Sequence, residues 1–211
     1  MKVAVISDIH GNLSALNRVV EDFESQDATQ VIVLGDIIFF GDEPEECFKL
    51  IQELKPIAWV KGNTDDWINL IDDDFNPSNV EEEHMYKEYL RVKDKMSSSS
   101  FDYIRDLPST MSLEIIDTSI LCVHGSDLDY YEQIGIMTEP EDLKVIFERM
   151  KDKVMLCGHS HRQYFASDSS KRILNVGSVG KSFNKLYAEY MILEIEDTSY
   201  SYNFRSVLKG R

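Results

Sequence analysis

Aspartate, histidine and asparagine, the side chains that bind divalent cations through oxygen and nitrogen, recur along this chain in short clusters. The clusters are Asp8-Ile9-His10, Gly35-Asp36, Gly62-Asn63-Thr64-Asp65, Val123-His124-Gly125 and Gly158-His159-Ser160-His161. Each follows a short apolar run, and four of the five histidines fall in them; the fifth is His84. A lone Asp-x-His or Gly-Asp is as often a capped strand end or a turn as a functional group. Five clusters in this order, each closing an apolar run, predict donors delivered to one edge of the fold, where sites form in open α/β sheets.

The elements that must position them come next. Val3-Ala4-Val5-Ile6 reads as a strand covered on both faces. Asn12 is placed to cap a helix whose apolar residues are Leu13, Leu16, Val19, Val20 and Phe23. A strand over 31–34, a helix opened by Pro44 and a strand over 57–60 continue the alternation that marks a parallel α/β sheet. Between Asp65 and Lys95 the rhythm breaks, with ten acidic and four basic side chains. This stretch, extended by a helix from about Ser97 to Leu107, reads as an acidic helical excursion at 65–107, solvated rather than packed. Beyond it come a hairpin over 112–116 and 119–123, a helix over 139–150, a strand over 154–157, and β-forming runs over 172–176, 186–195 and 200–207. The expected architecture is α/β: two packed mixed β-sheets flanked by helices, a four-layer αββα sandwich, in one domain over 1–211.

Composition narrows the partners. The 211 residues carry 38 acids and 22 bases, a formal charge of −16, and 43% are apolar, enough for a full core. Such an acid excess disfavours long nucleic acids, which need an extended basic track. Cys47, Cys122 and Cys157 are too few and too apolar in setting for a disulfide framework. The four apolar residues after Met1-Lys2 are too short for a signal peptide, and no apolar run reaches the roughly 18 residues that span a bilayer. The expectation is a soluble, cytoplasmic protein without a membrane partner.

The clusters resemble the calcineurin-like metallophosphoesterase superfamily, whose pattern is D-x-H, G-D, G-N-x-[DE], H and G-H-x-H in this order. The match runs from Asp8 to His161, and Asn175-Val176-Gly177-Ser178 is similar to the N-P-G-S loop of the small bacterial phosphodiesterases and phosphatases. The resemblance implies a pair of divalent metals, with Asp8, His10 and His161 on the first, Asn63, His124 and His159 on the second, and Asp36 bridging. Imidazole with carboxylate suits Mn2+ or Fe2+/Fe3+, and next Zn2+. Two such ions clamp the attacking and leaving oxygens of a phosphoryl displacement, and a water between them loses its proton near neutral pH and becomes the nucleophile. Asp36, Asn63 and His124 would stand closest to that event. No side-chain nucleophile and no covalent phosphoenzyme are then expected. Of the seven ligands only Asp8 and Asp36 carry formal charge, so two divalent ions leave the site positive, and a small phosphorylated substrate is compatible with the overall −16.

Thr64 stands where the phosphoprotein phosphatases of this superfamily carry histidine, which removes the usual candidate general acid and leaves Asp65 without a ring to orient. Candidate substrate contacts are Asn12, Thr64, Arg162, Gly177 and Ser178, with solvated surface bases the simpler reading of Arg162, Lys61 and Lys181. Trp67 is placed to stack on a base or to cover the excursion, and Tyr130-Tyr131 to form a substrate rim. Three functions stay open: hydrolysis of a small phosphodiester, nucleotide or dinucleoside polyphosphate; a phosphomonoesterase or protein phosphatase; and a non-catalytic scaffold, as in the retromer-coat subunit that shares this fold.

Overall fold

The computed structural model describes residues 1–72, 74–197 and 199–210. In chain order the elements are β1 (Lys2–Ile6), α1 (Leu13–Ser25), β2 (Gln30–Val33), α2 (Pro44–Glu53), β3 (Ala58–Trp59), α3 (Trp67–Leu70), α4 (Val80–Lys95) and α5 (Ser98–Arg105). They continue with β4 (Thr110–Ile115), β5 (Thr118–Val123), α6 (Pro140–Arg149), β6 (Val154–Cys157), β7 (Gln163–Asp168), β8 (Lys171–Val176), β9 (Tyr187–Ile195) and β10 (Tyr200–Leu208). One mixed sheet has the order β10-β9-β1-β2-β3 and the other β4-β5-β6-β8-β7.

The period of two along each strand builds the layers. Val3 and Val5 of β1 point between the sheets, where they meet Ile120, Cys122, Val154 and Leu156 of the second sheet. Ala4 and Ile6 point the other way, against Leu16 and Val19 of α1 and Cys47 and Ile51 of α2. Met155 and Cys157 of β6 face outward onto Ile146, Phe147 and Met150 around α6. Both outer faces are therefore helix-covered, and the αββα sandwich follows. Asn12 caps α1 by accepting the Ala15 N–H at 3.0 Å.

Two elements differ from their sequence reading. The excursion is packed rather than merely solvated: Tyr89, Val92 and Met96 of α4 and its C-cap, with Phe101, Ile104 and Leu107, join the same core as α1. The buried stripe of α4 is short, Tyr89 and Val92 with Met85 and Tyr86 partly covered beside them, and the surrounding charge concealed it. β7 was not expected, because it is an edge strand with one buried side chain, Ala166, and no apolar alternation.

The C-terminal strands are fastened to α1 by one polar cluster. Asp22 accepts from Arg205 Nε at 2.6 Å, Arg205 Nη2 at 3.0 Å and the Tyr190 hydroxyl at 2.5 Å. The Arg205 guanidinium, ahead of a smaller opposing effect of burial, holds Asp22 below the usual carboxylate range. Asp22→Ala is expected to cost about 2 kcal/mol, the size of hydrogen bonds to a charged group. Because the folded value lies below the unfolded one of about 3.9, this contribution is present above that pH and fades as pH falls through the folded value. Urea unfolding at pH 7 and pH 3 checks both statements: the difference between the two proteins should shrink at the lower pH.

Candidate metal centre

Parallel strands put their carboxyl ends at one edge, and the donors follow directly. Asp8 and His10 come after β1, Asp36 after β2, Asn63 after β3, His124 after β5, and His159 and His161 after β6. The loops are stitched to each other: Asp8 N–H donates to Gly35 O at 3.0 Å, His10 N–H to Asp36 O at 2.9 Å and Gly158 N–H to His124 O at 2.8 Å. Asp8 (φ 54°), His10 (49°), Asp36 (54°), His159 (64°) and His161 (55°) all adopt the left-handed backbone. Such residues cost on the order of 1–3 kcal/mol each and persist where their surroundings over-determine them.

Asp36 Oδ2 lies 3.8 Å from His10 Nε2 and 3.5 Å from His124 Nε2. Asp8 Oδ1 lies 3.8 Å from His10 Nε2, 3.9 Å from His124 Nε2 and 3.0 Å from His161 Nε2. Two groups of donors thus form, Asp8 with His10 and His161, and Asp8 with Asp36 and His124, each within 4.8 Å. Asn63 Oδ1 stands 3.1 Å from His124 Nε2. His159 is set apart from both groups: its Nε2 donates to Tyr131 O at 3.1 Å, which leaves Nδ1 as the bare nitrogen, and its ring sits 5.1 Å from that of His124.

These residues fit divalent ions. His10 Nδ1 donates to Phe39 O at 3.2 Å and His124 Nδ1 to Leu34 O at 2.7 Å, so each ring turns its Nε2 to the centre, where a cation would take the place of any proton on it. His10 Nε2 and His161 Nε2 face each other at 3.2 Å, beside Asp8 Oδ1, which is buried and has no hydrogen-bond partner. Lone pairs converging on one point, inside a buried pocket, are what a cation satisfies. By their places, Asp8, His10 and His161 would hold one ion and Asp36, Asn63 and His124 a second, with His159 standing outside both donor groups.

Electrostatics agree with a site built for added positive charge. Burial drives His10 down to about 4, despite the Asp36 and Asp8 carboxylates. Burial also acts to lower His124, but Asp36 and Asp8 override it and raise that ring to about 10. Burial would raise Asp36, yet the rings of His124 and His10 and the Thr64 N–H keep it well below the usual carboxylate range.

With Thr64 in place of a histidine, Asp65 has no ring to orient. Instead it is a backbone clamp: its carboxylate accepts the N–H of Asp36 at 2.7 Å, Ile37 at 2.9 Å and Gly62 at 3.0 Å. Burial, with the Asp36 carboxylate beside it, pushes it up to about 7. Asp65→Asn keeps the volume but turns an NH2 towards an N–H donor. Metal affinity should fall by about 10- to 100-fold, the usual effect of outer-shell loss, with all seven donors intact; calorimetric Mn2+ titration measures it.

Asn175 braces the other side. Its Nδ2 donates to Ile134 O and Ser160 Oγ, both at 2.9 Å, and its Oδ1 accepts the Gly177 N–H at 3.1 Å. Of the expected substrate contacts, Thr64, Gly177 and Ser178 are buried, and the last two are engaged within their own loop. Ser178 is fully buried, and its hydroxyl donates to Asp8 O at 2.8 Å. Gly177 has φ 79° in a turn where a Cβ would lie 2.4 Å from Glu189 Oε2. Both therefore shape the loop. Arg162 lays its guanidinium on Phe183 at 3.6 Å, and Asn12 lines a cleft of about 250 Å3 with His10 and Lys181. Thr64 donates its N–H to Asp36 Oδ1 at 2.9 Å, while its buried Oγ1 has no partner. Tyr130 gives its hydroxyl to Asp66 at 2.6 Å, and Lys61 Nζ and Asn69 Nδ2 reach the same carboxylate, also at 2.6 Å. Asp66 so ties the loop after His124 to the Asn63 motif. Sequence reading gave Asp66 no role, since a second acid after Asp65 carries no signal of its own.

Known proteins bear on this centre. Residues 1–198 match the model of the calcineurin-like phosphoesterase superfamily domain. An uncharacterized protein of Methanocaldococcus jannaschii is 26% identical over 196 residues, 88% of this chain and 72% of that one. A solved metallophosphoesterase from Sphaerobacter thermophilus superposes with a TM-score of 0.78 at 25% identity, covering 100% of this chain and 90% of that one. A hypothetical protein from Pyrococcus horikoshii shares the fold with a TM-score of 0.85 at 19% identity, covering 100% and 89%. Among the described residues no helix is long and apolar enough to cross a membrane.

Proposed function

Because the chain belongs to the calcineurin-like phosphoesterase superfamily, we propose that it hydrolyses a small phosphodiester, nucleotide or dinucleoside polyphosphate with the help of two divalent ions. The observation that carries this reading is the position of Asp36 Oδ2 between His10 Nε2 at 3.8 Å and His124 Nε2 at 3.5 Å, a carboxylate placed to serve two ions at once. The ions, Mn2+ or iron by donor type and then Zn2+, would supply Lewis acidity and a water acidified to near neutral pH. The protein holds the donors rigidly: Asp65 fixes the backbone under Asp36, Asn175 fixes the His159–His161 turn, and carbonyls fix the His10 and His124 rings.

Thr64 sharpens the substrate class. A methyl and a hydroxyl stand where an imidazole would protonate a leaving oxygen, so esters with good leaving groups are favoured and monoesters of simple alcohols are not. With Mn2+ present, bis(p-nitrophenyl) phosphate should turn over faster than p-nitrophenyl phosphate. Turnover of neither, with metal bound, would overturn hydrolysis and leave a binding module. Thr64→His should raise monoester turnover about tenfold or more, within the range of general acid catalysis; steady-state kinetics on the two esters decide it.

A further inference from the structure

We propose that the cleft between α3 and α4 is a substrate subsite that takes the nucleobase of a nucleoside phosphoester whose phosphorus lies at the metal centre. This rests on the phosphoester reading and adds to it a ring-binding site outside the metal donors.

An aromatic wall leads from one to the other. The Phe40 ring lies 5.6 Å from that of the donor His10, 5.4 Å from Trp67, and 6.3 Å from His84, to which it is nearly parallel at 20°. Trp67 opens α3 four residues beyond Asn63, so the strand end that delivers a metal donor also delivers the indole. Phe40 has φ 79°, a backbone that a bulky side chain adopts only when its surroundings enforce it. The enforcement is visible: α4 docks on this loop through Arg91 Nη1 to Gly41 O and Lys95 Nζ to Asp42 O, both at 2.7 Å. The wall is fixed, not a loose surface.

Beside it opens a cleft of about 510 Å3, lined by Trp67, Val80, His84 and Met85 with Glu81 and Glu82 at the rim. That size is ordinary for a small-molecule site. Trp67 and Met85 are half-covered side chains at the edge of the first core, and Val80 is 79% exposed. Flat indole and imidazole faces with a thioether suit a planar ring. Glu82 Oε2 already accepts the N–H and hydroxyl of Ser78 at 2.6 and 2.8 Å, so Glu81 is the carboxylate placed to accept N–H from the amino group of a base; the two charges repel a second phosphate, so the ring and not a phosphate tail belongs here. A cation stands on the metal side: Lys181 Nζ rests 3.9 Å above the Phe40 ring and, among the described residues, forms no ion pair. Its loop is tethered to the first metal donor, since Ser178 Oγ accepts the Lys181 N–H and donates to Asp8 O. Metal donors, then a cation, then aromatic faces follow the order of phosphate and base in a nucleotide.

The test uses Trp59→Phe protein, which leaves Trp67 as the only indole. Its fluorescence is titrated with adenosine, AMP and ribose 5-phosphate, with and without Zn2+, and bis(p-nitrophenyl) phosphate turnover is measured with Mn2+. Adenosine should perturb Trp67 even without metal, AMP should bind more tightly than adenosine once metal is present, and ribose 5-phosphate should leave Trp67 unchanged. His84→Ala, an exposed position, should weaken adenosine about tenfold, the effect of one lost stacking contact. If adenosine leaves Trp67 unchanged while the diester is hydrolysed, the subsite is wrong and the phosphoester reading stands. If adenosine binds but no phosphoester is turned over, the phosphoester reading fails and the cleft is not a substrate subsite.

Discussion

Asp36→Asn should lower phosphodiester turnover by a factor on the order of 10³, the upper range for loss of one group that stabilises developing charge, while the fold persists. Asparagine has the same shape, and its Oδ1 can still accept the Thr64 N–H that Asp36 receives at 2.9 Å. What disappears is the negative oxygen between His10 and His124. Both carboxylates of the donor set lie less than 4 Å from the His10 and His124 rings, and Asp36 is the one that approaches His124 more closely and whose backbone N–H is held by Asp65. The variant should also lose metal-dependent stabilisation. A ligand that binds only the folded state raises stability by RT ln(1 + [L]/Kd), so Mn2+ should raise the melting temperature of the natural protein and leave that of the variant nearly unmoved. Equal turnover by both proteins would remove Asp36 from the chemistry.

Gly62→Ala should be almost as damaging, through sterics rather than charge. A Cβ at Gly62 would sit 2.1 Å from Asp36 Oδ1, 2.6 Å from Asp36 N and 2.8 Å from Asp36 Cγ. The backbone cannot retreat, because the N–H groups of Gly62 and Asp36 both donate to Asp65 Oδ2, at 3.0 and 2.7 Å. The added methyl must displace the carboxylate or break the clamp. We expect about 3 kcal/mol of destabilisation, at the upper end of overpacking costs, together with loss of most diester turnover. Gly135→Ala is the control: its Cβ would meet Ser160 Oγ at 3.3 Å, the end of a small side chain that can give. Urea unfolding of both variants separates the cases, and a Gly62→Ala protein as stable as the natural one would refute the clamp.

Fold and site were unevenly legible in the sequence. The donor types were readable because Asp8, Asp36, Asn63, His124 and His159 each close an apolar run, and a buried strand must end where its apolar run ends. The αββα layering was readable because Val3 and Val5 alternate with Ala4 and Ile6. Roles that depend on backbone shape were not. The partners of Asp65 stayed hidden because they are three N–H groups, and a peptide N–H has no residue type to recognise. His159 was expected to serve the second metal as His161 serves the first, but its Nε2 is engaged by the Tyr131 carbonyl, 28 residues away in sequence. Ser178 and Gly177 resembled a substrate loop and instead serve the backbone of that loop. The excursion looked solvated because its ten acids come in runs that interrupt the apolar residues, Tyr89 and Val92 among them, that bury it. Phe40 carried no signal at all: its importance lies in a left-handed φ and in neighbours drawn from four separate segments, His10, Trp67, His84 and Lys181.

The central claim is that two ions share Asp36. Crystals soaked in Mn2+ and measured at a wavelength where manganese scatters anomalously test it most directly. The account predicts two anomalous peaks per chain, about 3.5–4 Å apart as in two-metal sites, one beside Asp8, His10 and His161, the other beside Asn63 and His124, with Asp36 between them. A single peak, or a pair that leaves Asp36 unliganded, would contradict it.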